Sequence, residues 1–99
     1  MNILKIKSKK ELNKIKQINK ILKDAGGKEI YLFGSFINGN YNKNSDIDIG
    51  VKGLPPDKFL YTHYIIEESL NSKVDLVDFD YEKDFFKVLK TLGEIIRID

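Results

Sequence analysis

Leu12, Ile15, Ile18 and Leu22 recur at three- and four-residue spacing with lysines between them, which predicts an amphipathic helix from Ser8 or Lys9 to about Ala25. Ser8 followed by Glu11 fits a capping box, and Gly26-Gly27 closes the helix. Glu29 to Phe33 reads as a short strand. Ile30 and Leu32 point one way, Tyr31 and Phe33 the other, so both faces are apolar and the strand is expected to be central. Gly34-Ser35 breaks it and opens a short helical turn. Asn38 to Ser45, with four asparagines and Gly39, has loop chemistry. Asp46 to Val51 alternates cleanly, with Ile47, Ile49 and Val51 on one side and Asp46, Asp48 and Gly50 on the other. After a turn at Gly53 to Pro56, a second long helix is expected from Asp57 to Leu70, behind Pro55-Pro56. Lys73 to Phe79 predicts a third strand. A last helix is expected from Asp80 or Tyr81 to Ile96, on a stripe of Phe85, Leu89, Leu92 and Ile96. The alternation of helices and strands gives an α/β or α+β fold with a small mixed sheet, in a single domain over residues 1–99.

Composition narrows the chemistry. Of 99 residues, 41% are hydrophobic, enough for one modest core but not for a second domain. There is no cysteine, which excludes a disulfide scaffold, a thiolate metal site and a cysteine nucleophile. The single histidine, His63, cannot by itself build a histidine-rich zinc centre and is expected on a helix surface or lightly packed. No apolar run approaches the roughly 20 residues that span a bilayer. With no export signal core near the N-terminus, a soluble cytoplasmic protein is the expectation.

The net charge of +2 hides an asymmetry. Residues 1–28 carry a balance of +7 and residues 29–99 a balance of −5. A basic first helix could attract nucleic acid, through Lys14, Lys16 and Lys20, but a solvated helix face is the plainer reading. Arg97 is the one arginine among seventeen basic residues, and base edges are read mostly by arginine forks, so a nucleic-acid partner is not expected.

The chemistry concentrates in Gly34-Ser35, a gap of ten residues, and Asp46-Ile47-Asp48. A glycine at a strand end lets backbone approach a ligand closely. The serine behind it, at the start of a helical turn, suits phosphate oxygens. Asp46 and Asp48, one residue apart on a strand, project from the same face and repel unless a cation lies between them. Oxygen ligands suit magnesium, typically carried with a triphosphate. Asp75, inside the apolar run Val74-Asp75-Leu76-Val77, needs a partner, and could face the same pocket if the two strands are neighbours. Taken singly, each piece is ordinary: a strand-to-helix turn, a solvated strand edge, an acid paired with Lys73 or Lys52. Asp78 and Asp80 read as loop acids, and Ser45 as the shaper of the turn before Asp46. Phe59, Tyr61, Tyr64 and Tyr81 read as core or interface rather than as base-stacking platforms.

Leu32-Phe33-Gly34-Ser35, the ten-residue gap, Ser45-Asp46-Ile47-Asp48-Ile49 and Val74-Asp75-Leu76-Val77 together resemble the minimal nucleotidyltransferases of the DNA polymerase beta superfamily. The resemblance covers roughly residues 28–80. It implies a short mixed sheet flanked by helices. It implies that Gly34 and Ser35 hold the triphosphate of ATP, that Asp46 and Asp48 bind Mg2+, and that Asp75 completes the metal site and favours removal of the acceptor's proton. It further implies an antitoxin that moves AMP onto a tyrosine of a HEPN-type toxin, with a non-catalytic antitoxin that masks its partner as the alternative. Where many relatives carry an arginine after Gly-Ser, this chain has Phe36, Ile37 and Asn38, and Lys43 is a candidate substitute. The further acceptor domain of larger relatives has no counterpart in these residues. Phe86, Val88, Ile95 and Ile98 broaden the apolar face of the last helix, which suggests either contact with another chain, in a homo- or hetero-oligomer, or packing on both sides.

Overall fold

The computed structural model describes residues 8–40, 42 and 44–99. Helix α1 (Lys9–Asp24) starts where the capping box places it: the Ser8 hydroxyl accepts the Glu11 amide at 3.4 Å. Its apolar stripe buries Ile15, Ile18 and Leu22. Strand β1 (Glu29–Phe33) leads into the single turn of α2 (Ser35–Asn38), and β2 (Ile47–Lys52) follows the asparagine-rich loop. A 3-10 turn at Pro56–Lys58 absorbs the start expected for the second long helix, so α3 runs from Phe59 to Leu70. Strand β3 is Val74–Asp78.

The expected last helix is two elements. Helix α4 (Lys83–Leu92) stops at Gly93, whose φ of 69° turns the backbone left-handed, and its amide closes on the Leu89 and Lys90 carbonyls. Ile95–Arg97 then form strand β4. Two β-branched residues beside an open strand edge complete a ladder there instead of another helical turn. The stripe read from Phe85, Leu89, Leu92 and Ile96 crossed that boundary. The face α4 buries is Phe86 and Leu89, while Phe85, Val88 and Leu92 stay exposed. Ile98, expected on the last helix, instead follows β4, where it is 2% exposed and donates its amide to the Ile30 carbonyl.

The sheet order is β3-β2-β1-β4. β1 is an inner strand, as its two apolar faces imply. β2 and β3 pair in parallel while β1 pairs antiparallel with both neighbours, so the sheet is mixed. One face carries Ile30, Leu32, Ile47, Ile49, Val51, Val74 and Leu76 against Ile15, Ile18 and Leu22 of α1 and Ile66 and Leu70 of α3. The other carries a smaller aromatic cluster of Phe33, Phe79, Phe86 and Leu89, with Tyr31, Val77 and Ile95 packed against it. Asp99 ties the end of the chain to both layers. Its carboxylate accepts the Ile30 amide at 3.1 Å, the Arg97 guanidinium at 2.7 Å and the Lys23 ammonium at 3.1 Å. The Arg97 and Lys23 charges and the Ile30 amide hold it well below the usual carboxylate range. No described helix is long and apolar enough to cross a membrane.

Gly50 is what lets the aromatic cluster lie flat on the sheet. A Cβ there would stand 1.9 Å from the Phe79 ring, which is fully buried. Gly50→Ala is therefore expected to cost about 2–3 kcal/mol by overpacking. Urea unfolding measures it, and Phe79→Leu in the same background is expected to recover part of the loss.

Candidate active site

The strand pairing gathers the residues the sequence singles out. Parallel pairing sets Asp48 of β2 level with Asp75 of β3. Antiparallel pairing sets Phe33, the last residue of β1, opposite Asp48. Neighbouring strands lie about 4.8 Å apart, so one row across the sheet reads Ile95, Phe33, Asp48, Asp75. Gly34 follows immediately and bends the chain at φ 76° and ψ −145°. The bend lies directly on Asp48: a Cβ on Gly34 would stand 2.1 Å from Asp48 Oδ2. Ser35 opens α2, where Ile37 and Asn38 donate their amides to the Gly34 carbonyl.

Asp48 sits at the edge of the aromatic cluster, half-buried beside Phe33. Its pKa is pushed up to about 6. Burial is the main cause, followed by the charge of Asp75, a hydrogen bond with the Asp75 carboxylate and the charge of Asp46. Asp75 and Asp46 thus both act on Asp48. Asp75 has neither Lys73 nor Lys52 as an ion-pair partner; among the described residues its neighbour is the Asp48 carboxyl.

Asp46 lies just ahead of β2 and is exposed. The turn before it is shaped by Ser45, whose hydroxyl accepts the Asn42 amide at 2.9 Å while its own amide donates to the Asn42 carbonyl. Asp46 also lines a cleft of about 220 Å³ with Lys14, Asn44, Ser45, Ser72 and Lys73. Lys14 donates to Ser72 Oγ at 2.8 Å and lies 3.8 Å from Glu11. The sequence reading missed Lys14 and Ser72 as neighbours of Asp46, since the chain distance between α1 and the start of β3 hides it, and it placed Lys73 beside Asp75 rather than Asp46. Lys43, the candidate substitute cation, lies outside the described residues. His63 is half-buried on α3, its Nε2 2.6 Å from the Val74 carbonyl, and takes no part in the acid cluster. Asp78 and Asp80 are turn acids: Asp78 accepts the Asp80 amide at 2.9 Å, and Asp80 accepts the Gly53 amide at 2.7 Å.

Asp48 and Asp75 lie level on neighbouring strands, and Asp46, just ahead of β2, acts on Asp48; carboxylate oxygens are the ligand type hard divalent cations prefer. The cage is not preformed: among the described residues no three acidic or histidine side chains are already drawn together to hold an ion.

The profile of the nucleotidyltransferase domain matches residues 15–98, and the chain belongs to that family. Among curated protein sequences none matches significantly. Several solved structures do. A chain from a crystal structure of a toxin-antitoxin with AMP-PNP is 38% identical, with a TM-score of 0.55, over 69% of this chain and 56% of its own length. A chain from a mutant of the toxin-antitoxin MntA-HpeT is 28% identical over 86% of this chain and 71% of its own, with a TM-score of 0.67. A chain from the tri-AMPylated Shewanella oneidensis HEPN toxin in complex with MNT antitoxin is 26% identical over 85% of this chain and 84% of its own, with a TM-score of 0.53. The chain therefore spans little more than half the length of the first of these.

Two expectations follow from the geometry. Gly34→Ala adds a methyl where Asp48 Oδ2 lies and forces a side chain to positive φ. It is expected to displace the Asp48 carboxylate and to cost at least tenfold in transferase activity, checked by initial rates beside a thermal melt. Second, a carboxyl whose folded pKa lies above its unfolded value binds its proton more tightly when folded, so stability falls as pH rises from about 4 to about 6. Asp48→Asn is expected to flatten that slope and to raise the melting temperature at pH 7 above that of the parent chain, as read by melts across that pH range.

Proposed function

We propose that this chain transfers a nucleoside monophosphate, AMP from ATP, to a hydroxyl of a protein acceptor, and that the acceptor is a tyrosine of a HEPN-type toxin for which the chain acts as antitoxin. The observation that carries this reading is that Asp48 lies level with Asp75 on the neighbouring strand while the Gly34 bend lies directly on Asp48. Membership of the nucleotidyltransferase domain family supports the transfer chemistry. The partner is suggested by the neighbours, which come from toxin-antitoxin complexes, one with AMP-PNP and one tri-AMPylated.

Asp46, Asp48 and Asp75 would hold Mg2+, which when bound supplies charge neutralisation and a more acidic acceptor hydroxyl. The chain's own residues do the rest. Gly34 keeps the bend free of a side chain, so the backbone and the Ser35 hydroxyl can approach the phosphates. The Ser35 hydroxyl donates to a phosphate oxygen. Asp75, on the exposed flank, accepts the acceptor's proton as its oxygen attacks the α-phosphorus and pyrophosphate leaves. Asp48 must lose its proton to hold the ion, so proton and Mg2+ compete there and metal affinity is expected to weaken as pH falls through about 6. Catalysis here is positioning and electrostatics, with no covalent enzyme intermediate.

The test mixes the purified chain with labelled ATP, magnesium and the product of the adjacent gene. Label is expected on the partner, and Asp46→Asn/Asp48→Asn is expected to reduce it to background while still forming the complex. A double variant that neutralises the partner as fully as the parent would assign the role to masking alone.

A further inference from the structure

The structure neutralises half of the α1 lysines that the sequence balance draws attention to, and gathers unpaired lysines elsewhere. On α1, Lys14 lies against Glu11 and Ser72, Lys20 pairs with Asp24 at 3.2 Å, and Lys23 pairs with Asp99 at 3.1 Å. On the opposite layer, Lys52 at the end of β2 and Lys83, Lys87 and Lys90 of α4 line one groove of about 320 Å³. Its floor is Phe86 and Phe79, which are 7% and 0% exposed. Among the described residues none of these four ammonium groups has a carboxylate within ion-pair distance. Asp80, the acid that lines the same groove, is engaged by the Gly53 amide.

Phe86 keeps the charges together without cancelling them. The Lys52 ammonium stands 3.7 Å from the centre of its ring and that of Lys90 5.4 Å from the same centre. An aromatic face attracts a cation and fixes its place, yet leaves its full charge available to a further anion. Like charges gathered this way repel until an anion enters.

We propose that this groove is a binding site for the phosphodiester backbone of single-stranded nucleic acid, separate from the transferase site. Four features select that ligand. The lysines at positions 83, 87 and 90 follow one helical stripe about 10 Å long, with Lys52 facing it, so repeated charges on a chain can each meet an ammonium. The aromatic floor is buried, leaving nothing to stack on or read a base, so recognition is by charge and independent of sequence. Protein interfaces are depleted in lysine, whereas four lysines line this groove. Its volume is at the low end for ligand sites, enough for one strand but not for a duplex.

The probe is a fluorescently labelled oligouridylate, followed by anisotropy across a salt series. Four lysine–phosphate contacts on a single strand predict that affinity falls about 50-fold between 50 and 200 mM salt. Lys83→Gln/Lys87→Gln, which leaves the Phe86 contacts in place, is expected to bind more weakly and to reduce that fall to about 7-fold. Lys16→Gln/Lys20→Gln on α1 is expected to match the parent, and so is Asp46→Asn/Asp48→Asn, which would fail in transfer but not here. Melting temperatures confirm that each variant is folded. The proposal is overturned by an unchanged salt dependence in the α4 variant, or by loss of binding in either the α1 or the aspartate variant. It is equally overturned if a polyglutamate peptide binds more tightly than the oligonucleotide, if excess pyrophosphate displaces the strand beyond its ionic-strength effect, or if the folded parent chain fails to bind at low salt.

Discussion

Two like charges held side by side on parallel strands are the constraint around which the rest is arranged. Left to themselves, Asp48 and Asp75 would move apart, and the register between β2 and β3 forbids it. The force that fixes the register lies on the opposite face. Ile47, Ile49, Val74 and Leu76 alternate with the acids and are buried against α1 and α3. A slip of one residue in either strand would turn its acid into that core and its apolar residues to the open face, at far greater cost than the repulsion. The hydrophobic face therefore holds the electrostatic strain in place, and Phe33 adds to it by keeping water from one side of Asp48. Gly34 completes the arrangement by removing the side chain that would otherwise push Asp48 aside.

Much of this was legible in the sequence because it is local. The Ser8 cap, the α1 stripe, the Gly34-Ser35 break and the alternation around Asp46 and Asp48 each depend on residues within a few positions of one another. Asp75 was legible as an anomaly, an acid in an apolar run, though its level pairing with Asp48 depends on a crossover of more than twenty residues and had to be supplied by the fold. The end of the chain was misread for a related reason. Phe85, Leu89, Leu92 and Ile96 keep a helical period through Gly93, and a periodic pattern carries no record of the open edge of β1 that captures Ile95 and Ile96. Nor does a pattern weigh Gly50 correctly: it counts as one more residue of the polar side, whereas its role is to vacate space for Phe79.

Charge was the least legible property, because a balance counts residues and neutralisation depends on partners. The first 28 residues carry most of the excess lysine, yet half of the α1 lysines meet an acid, including Asp99 from the far end of the sequence. The segment from residue 29 onward is acidic on balance and still contains the groove of unneutralised lysines. Two acids shortly before the α4 lysines, Asp78 and Asp80, accept backbone amides of the neighbouring turns.

Strand β2 explains why the surplus lysines do not simply neutralise the acid cluster. Asp48 and Lys52 lie on the same face of one strand, four residues and about 13 Å apart. That exceeds the Debye length of about 8 Å at physiological ionic strength, so for solvent-facing groups the attraction is largely screened. Between them lie Gly50 and the Phe79 ring that covers it, which bars a long side chain from bridging the gap along the sheet. The aromatic cluster therefore does more than close the second face. It separates a site that must accept cations from a groove that accepts anions, and lets one small sheet carry both without either cancelling the other.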